Sequence, residues 1–151
     1  MGKTITFENL KRFAKRAAVY KDTPSYYEPH IRILKEGVTF WLSNDELLSI
    51  KAGFEWDEVS VPYGLQWAFP KSGKYAYSAL VHDALYYTTH NSQKFADDEF
   101  RKWMVATGNI NKRQSYLRWM FVRTFGRIFW KKNVSKPSTR CLHNRKLIEI
   151  K

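Results

Sequence analysis

The chain has 151 residues, a formal net charge of +12 and 17% aromatic residues, enough to build one domain, expected to span 1–151, around an aromatic-rich core. The lone Cys141 excludes an intramolecular disulfide and any cysteine-based metal cluster, and it agrees with synthesis in a reducing compartment. No run of 18 apolar residues is present, so no transmembrane segment is expected.

The first residues are polar and charged, without the apolar stretch of a secretory leader. From Thr6, placed as an N-cap, to Val19 the spacing predicts an amphipathic helix, with Phe7, Leu10 and Ala14 opposite Lys11, Arg12 and Lys15. Pro24 and Pro29 bracket a loop. His30–Leu34 and Val38–Leu42 read as strands around a Lys35-Glu36-Gly37 turn, and Leu47–Lys51 as a third. Gly53 to Asp57, with Ser60-Val61-Pro62, reads as an ordered loop. After a turn at Pro70–Gly73, Lys74–Thr89 predicts a helix with apolar residues on most sides. Asn91-Ser92 interrupts it and caps a second helix, Gln93–Thr107, which Gly108 terminates. A third helix is predicted from Lys112 to Lys131. Pro137 ends the ordered run, and Arg145–Ile150 alternates as a short closing strand.

Charge is unevenly distributed. Residues 38–100 hold 4 Lys and Arg against 9 Asp and Glu, whereas residues 101–151 hold 14 against a single Glu. A basic block of this kind favours polyanions: DNA, an anionic membrane surface, or an acidic protein. The candidate contacts are Arg113, Arg118, Arg123, Arg127, Lys131 and Lys132, decorating a helix whose aromatic residues are expected in the core. Solvated basic helix faces that serve solubility would look the same.

The acidic middle carries the chemistry. In Val81-His82-Asp83-Ala84-Leu85-Tyr86, adjacent residues diverge by about 100° on a helix, so His82 and Asp83 cannot bond each other well but can flank one small volume. Tyr86 lies one turn beyond His82 on the same face, and Ser78 one turn before it. A neutral imidazole is a natural general base near neutral pH. Asp83 is placed to hold a hard cation such as Ca²⁺. Asp97 and Asp98 come back alongside His82 if the two helices pack antiparallel, and one of them would orient the imidazole. The competing account is an internal polar network, with the acidic pair stabilised by its helix N-terminus.

The order Gly53-Phe54, Asp57, Ser60-Val61-Pro62, Pro70, Gly73, Ala79-Leu80-Val81-His82-Asp83, Leu85-Tyr86, Ala96-Asp97 and Phe100 resembles an uncharacterised domain family common in phages and prophages. Tyr116, Val122-Arg123 and Gly126 fit the same pattern. The resemblance covers roughly 38–130, leaving 131–151 as a basic C-terminal extension, and it implies a bacteriophage origin without supplying a reaction. His82-Asp83 with Tyr86, followed by Ala96-Asp97 and Phe100, is also similar to the active-site helices of phospholipase A2, particularly the parvovirus capsid form. That resemblance implies His82 as the base activating water, Asp83 as a Ca²⁺ ligand, Asp97 as the orienting acid and Tyr86 as support, with Asp98 and Ser78 nearby. The chain departs from it by lacking the glycine-rich calcium loop, with only Tyr63-Gly64 at a comparable distance upstream, and by a short interval between His82 and Asp97.

The expected fold is α+β: a small antiparallel sheet in the N-terminal half packed against two or three helices in the C-terminal half. Two functions remain open. One is a phage-encoded hydrolase of host-envelope material, using the His82 site. The other is a virion-associated structural or interaction protein whose basic third contacts DNA or an acidic partner. Either would be made in the host cytoplasm, with the virion as a destination.

Overall fold

A computed structural model describes residues 3–6, 20–22, 31–57, 76–106 and 110–151. Alternation creates the first buried surface. In β4 (Val38–Trp41) and β5 (Leu47–Ile50), every second residue is apolar, and antiparallel register sets Val38 opposite Ile50 and Phe40 opposite Leu48. All four are almost fully buried, while Thr39 and Ser49 bond to each other on the other face, Oγ1 to Oγ at 3.0 Å. β1 (Lys3–Ile5) extends this sheet beside β4, and β7 (Ile148–Ile150) extends it beside β5. A second sheet of β2 (Tyr20–Asp22), β3 (Ile31–Leu34) and β6 (Glu55–Asp57) is antiparallel throughout. Gly53, at φ 91°, supplies the left-handed residue that turns the chain from β5 towards β6, and its N–H donates to the Leu34 carbonyl at 2.8 Å.

Four helices complete the described residues. α1 (Ala76–Thr88) is buried on most sides, as its apolar coverage predicts: Leu80, Val81, Ala84 and Leu85 are inaccessible to solvent. The link after it is short, so α2 (Gln93–Ala106) returns against α1, with Ser92 Oγ accepting from the Phe95 N–H at 3.1 Å as its cap. α3 (Lys112–Ser135) is capped by Asn111, whose side chain accepts from the Gln114 N–H at 2.8 Å. α4 (Thr139–Arg145) is capped by Ser138. The main core joins the inner faces of the strands to α1, Ala96 and Trp103, with Phe40 edge-on to Trp103 at 5.2 Å. A smaller cluster of Phe100, Met104 and Ile110, with Val122 against it, joins α2 to α3.

The architecture is α+β, as expected, with four corrections in detail. The pair β1–β4 is parallel, and the sheet closes with a strand from the C-terminus, so it is not confined to the N-terminal half. Glu55–Asp57 is a strand rather than loop. α3 continues to Ser135, one turn beyond the expected end at Lys131. Pro137 does not end the order. It precedes a capped helix that buries Cys141 and Asn144, and the closing strand starts at Ile148 rather than Arg145. Asn144 explains why this segment packs: its amide donates to the Glu55 carbonyl at 2.7 Å and accepts from the Glu55 N–H at 3.1 Å, as a neighbouring strand would. Residues 131–151 are therefore woven into the fold. The predicted N-terminal helix beyond Thr6, the Pro24–Pro29 loop and the segments around Ser60-Val61-Pro62 and Pro70–Gly73 lie outside the described residues.

Candidate active site

The antiparallel return of α2 along α1 brings Asp97 to His82. Nε2 of His82 lies 2.9 Å from Asp97 Oδ1, and the Tyr86 hydroxyl donates to the same oxygen at 2.7 Å. From α3, Arg123 Nη1 donates to the other oxygen, Oδ2, at 3.1 Å. Asp97 is fully buried, and these three donors are what make a buried carboxylate tolerable. With Asp97 accepting on both oxygens, the ring hydrogen of a neutral His82 belongs on Nε2, leaving Nδ1 as the basic nitrogen. Gln93 Nε2 donates to the Tyr86 hydroxyl at 3.2 Å and completes the chain of polar contacts.

Nδ1 faces Asp83, whose Oδ1 is 3.7 Å away. That is too long for a direct hydrogen bond, as the helical divergence of adjacent residues requires, but close enough for charge attraction. The His82 side chain is 12% exposed, that of Asp83 21% and that of Arg123, on the Asp97 side, 33%, so the cluster reaches solvent on both sides. Burial alone would push the His82 pKa down; Asp83 and Asp97 outweigh it and raise the pKa above the ordinary histidine range. Burial and the negative charge of Asp97 push the Tyr86 phenol strongly upward, so it remains a donor at physiological pH. The ring of His82 is held between Tyr86, at 4.2 Å between centroids, and Phe100, at 4.8 Å.

Packing of α3 is fitted to this cluster. Trp119, Arg123, Gly126, Trp130 and Asn133 recur at alternating spacings of four and three, forming one stripe along the helix. Trp119 Nε1 donates to Asp98 Oδ1 at 2.8 Å, Trp130 meets Tyr86 edge-on at 5.2 Å, and Asn133 Nδ2 donates to the Tyr86 carbonyl at 3.0 Å. A Cβ at Gly126 would overlap the Tyr86 hydroxyl, so glycine is what allows the helix to approach.

Asp98 points elsewhere from Asp97 and does not meet His82. It pairs with Lys94 at 2.5 Å and accepts from Trp119; burial opposes ionisation, but these partners hold its carboxyl below the usual carboxylate range. Ser78 is fully buried, and its hydroxyl makes no hydrogen bond among the described residues. Of the six proposed polyanion contacts, Arg113, Arg127, Lys131 and Lys132 are exposed. Arg118 is buried, which removes it from any surface contact, and Arg123 is engaged with Asp97. The aromatic and basic roles on α3 are thus partly exchanged relative to expectation: Tyr116, Phe125 and Phe129 are exposed.

Arg123 as an Asp97 partner was missed because a helix of scattered arginines carries no mark of which one turns inward. The stripe of Trp, Arg, Gly, Trp and Asn was the available signal. A second buried carboxylate was also missed. Glu99 is inaccessible to solvent, accepts from the Ser43 hydroxyl and, at 3.1 Å, from Trp103 Nε1, and lies 3.4 Å from Lys102 Nζ.

Ca²⁺ takes six to eight oxygen ligands. Around His82 the one accessible carboxylate is Asp83, and among the described residues no group of three or more His, Cys, Asp or Glu side chains is arranged to hold a metal ion. These side chains by themselves do not build a calcium site.

No curated protein and no solved structure matches the chain. A family model does match: residues 33–122, which include β4, β5, α1, α2 and Arg123's neighbour Val122, fit the family described as a protein of unknown function, DUF1353. The chain belongs to the DUF1353 family.

Proposed function

We propose that this is a phage-encoded hydrolase of host-envelope material, acting on ester bonds with His82 as general base. The observation that carries the reading is the 2.9 Å contact between His82 Nε2 and Asp97 Oδ1, made while Nδ1 is turned away from Asp97, towards the partly exposed Asp83. In this reading Nδ1 takes a proton from a water as it attacks an ester carbonyl, and the tetrahedral intermediate then collapses with cleavage of the ester C–O bond, the departing alcohol taking that proton back from Nδ1. Asp97 stabilises the imidazolium that forms, and Tyr86 and Arg123 hold Asp97 in place. The similarity of His82, Asp83, Tyr86 and Asp97 to phospholipase A2 helices points to phospholipid esters. Synthesis in the host cytoplasm and carriage in the virion are parts of the same proposal.

The test is fatty-acid release from phosphatidylglycerol-containing vesicles in calcium-supplemented buffer. Removing a general base by His82→Ala lowers turnover by about 10²- to 10⁴-fold with the fold retained by circular dichroism. Equal activity in the variant and the parent ends the proposal.

One observation favours a second reading, a virion-associated structural protein. Arg123 already neutralises Asp97 from α3, so the cluster also serves as a polar lock joining three helices. In that case His82→Ala lowers the melting temperature and no substrate is turned over by the parent.

A further inference from the structure

Helices in water-soluble proteins bury their apolar stripe and expose their polar one. α3 departs from this along its central turns, where it is apolar on its outer side as well. Its inward stripe is Trp119, Arg123, Gly126, Trp130 and Asn133, built around the polar site. On the opposite side Leu117 is 56% exposed, Met120 45%, Phe125 44% and Ile128 70%. At 1.5 Å per residue these side chains run for roughly 16 Å along the helix. Phe129 (53% exposed) widens the patch on one flank and Tyr116 (45% exposed) on the other.

The charges around the patch have one sign. Arg113 lies at its N-terminal end, Lys131 and Lys132 at its C-terminal end and Arg127 on its flank; all four are exposed, and α3 contains no acidic residue. An apolar centre bounded by long cationic side chains matches the profile of an anionic bilayer, where acyl chains lie beneath a layer of phosphates. Leu117, Met120 and Ile128 are aliphatic and suit acyl chains, whereas base stacking would fall to Tyr116, Phe125 and Phe129 alone, which is why DNA is carried as a competing outcome of the test. No helix among the described residues is long and apolar enough to cross a membrane, and a cationic-edged apolar face of this kind suits a helix lying in the interface.

We propose that the outer face of α3 docks the protein on an anionic membrane surface, with Leu117, Phe125 and Ile128 entering the acyl boundary and Arg113, Arg127, Lys131 and Lys132 meeting lipid phosphates. This stands on the exposed face alone and does not require His82 to be catalytic.

The test is co-sedimentation of the full chain with phosphatidylcholine vesicles containing roughly 30–40% phosphatidylglycerol, beside pure phosphatidylcholine vesicles. Expected is binding to the anionic vesicles at least about tenfold tighter than to neutral ones, weakened by salt. Ile128→Asp and the charge variant Arg127→Gln/Lys131→Gln/Lys132→Gln each reduce binding about tenfold or more, while far-ultraviolet dichroism remains that of the parent. His82→Ala binds as the parent does, which keeps this result apart from any loss of hydrolysis. Absence of binding to anionic vesicles overturns the proposal. So does equal binding by Ile128→Asp. A concentration-dependent dimer that Ile128→Asp dissolves, without vesicle binding, assigns the face to a second copy instead, and DNA binding without vesicle binding assigns it to nucleic acid.

Discussion

Asp97 and Glu99 sit two residues apart on α2, are both fully buried, and face opposite halves of the molecule. Glu99 is turned towards the β4–β5 hairpin, where Ser43 and Trp103 donate to it and the charge partner Lys102 is half exposed. It fastens the helix to the sheet with mostly neutral donors. Asp97 is turned towards α1 and α3, where its partners are an imidazole, a phenol and a guanidinium. Two of those three, the imidazole and the guanidinium, can change or carry charge, and both reach solvent. The same cost of burial therefore serves an anchor on one side and a titratable site on the other.

The largest expected effect breaks that comparison directly. Asp97→Asn leaves the Arg123 guanidinium beside a neutral amide and costs about 2–3 kcal/mol in denaturant unfolding, less than removing one partner of a wholly buried pair because Arg123 is 33% exposed and is rehydrated. Glu99→Gln keeps one carbonyl oxygen for Trp103 Nε1, sets its NH₂ against Ser43, whose hydroxyl can turn to accept, and gives up a pair screened by solvent, so about 1–2 kcal/mol is expected. Equal losses at the two positions would show that Asp97 is also no more than an anchor.

A smaller effect concerns how α3 reaches the site. Gly126→Ala forces a methyl group onto the Tyr86 hydroxyl and is expected to destabilise by about 1–3 kcal/mol, despite the better helix propensity of alanine. Combined with Tyr86→Phe, which removes the overlapping oxygen, the loss should be well short of the sum of the single variants. Strict additivity in a double-mutant cycle would place the strain elsewhere.

The smallest effect is the pH dependence, and its two signs sharpen the contrast. His82 has a folded pKa above the ordinary 6.5. Its protonation therefore adds stability that is complete below about pH 6.5 and is lost as pH rises through the raised folded value. General-base activity requires the neutral ring, so turnover rises across the same window in which this stability falls. Unfolding free energies from about pH 5.5 to 8.5 check the first sign and vesicle hydrolysis the second, with His82→Gln flattening both.

Much of this was legible along the chain. Alternation at Val38–Phe40 and Leu48–Ile50 located a buried strand pair because a strand has two faces and only one can reach the core. The short link after Thr88 implied that α2 returns along α1, which brings Asp97, although not Asp98, back to His82. The strand at Glu55–Asp57 and the helix at Thr139–Arg145 were not legible. Each is short and weakly patterned, and each is stabilised by the other through Asn144, a contact between residues 89 positions apart. Local propensity contains no term for such a partner.

The amino-acid sequence by itself determined the fold class, the aromatic-rich core, the placement of His82, Tyr86 and Asp97 on facing helices, and the concentration of positive charge after residue 100. Only the tertiary structure decided which arginine meets Asp97, that Asp98 turns away, that Glu99 is buried, and that α3 shows an apolar side to solvent. The reason is geometric. Periodicity tells which residues share a face of a helix, but which face turns inward depends on what the neighbouring elements offer. Here α1 and α2 offer a buried carboxylate and a tyrosine hydroxyl, so the face carrying Arg123, Gly126 and Asn133 turns in and the face carrying Leu117 and Ile128 is left outside.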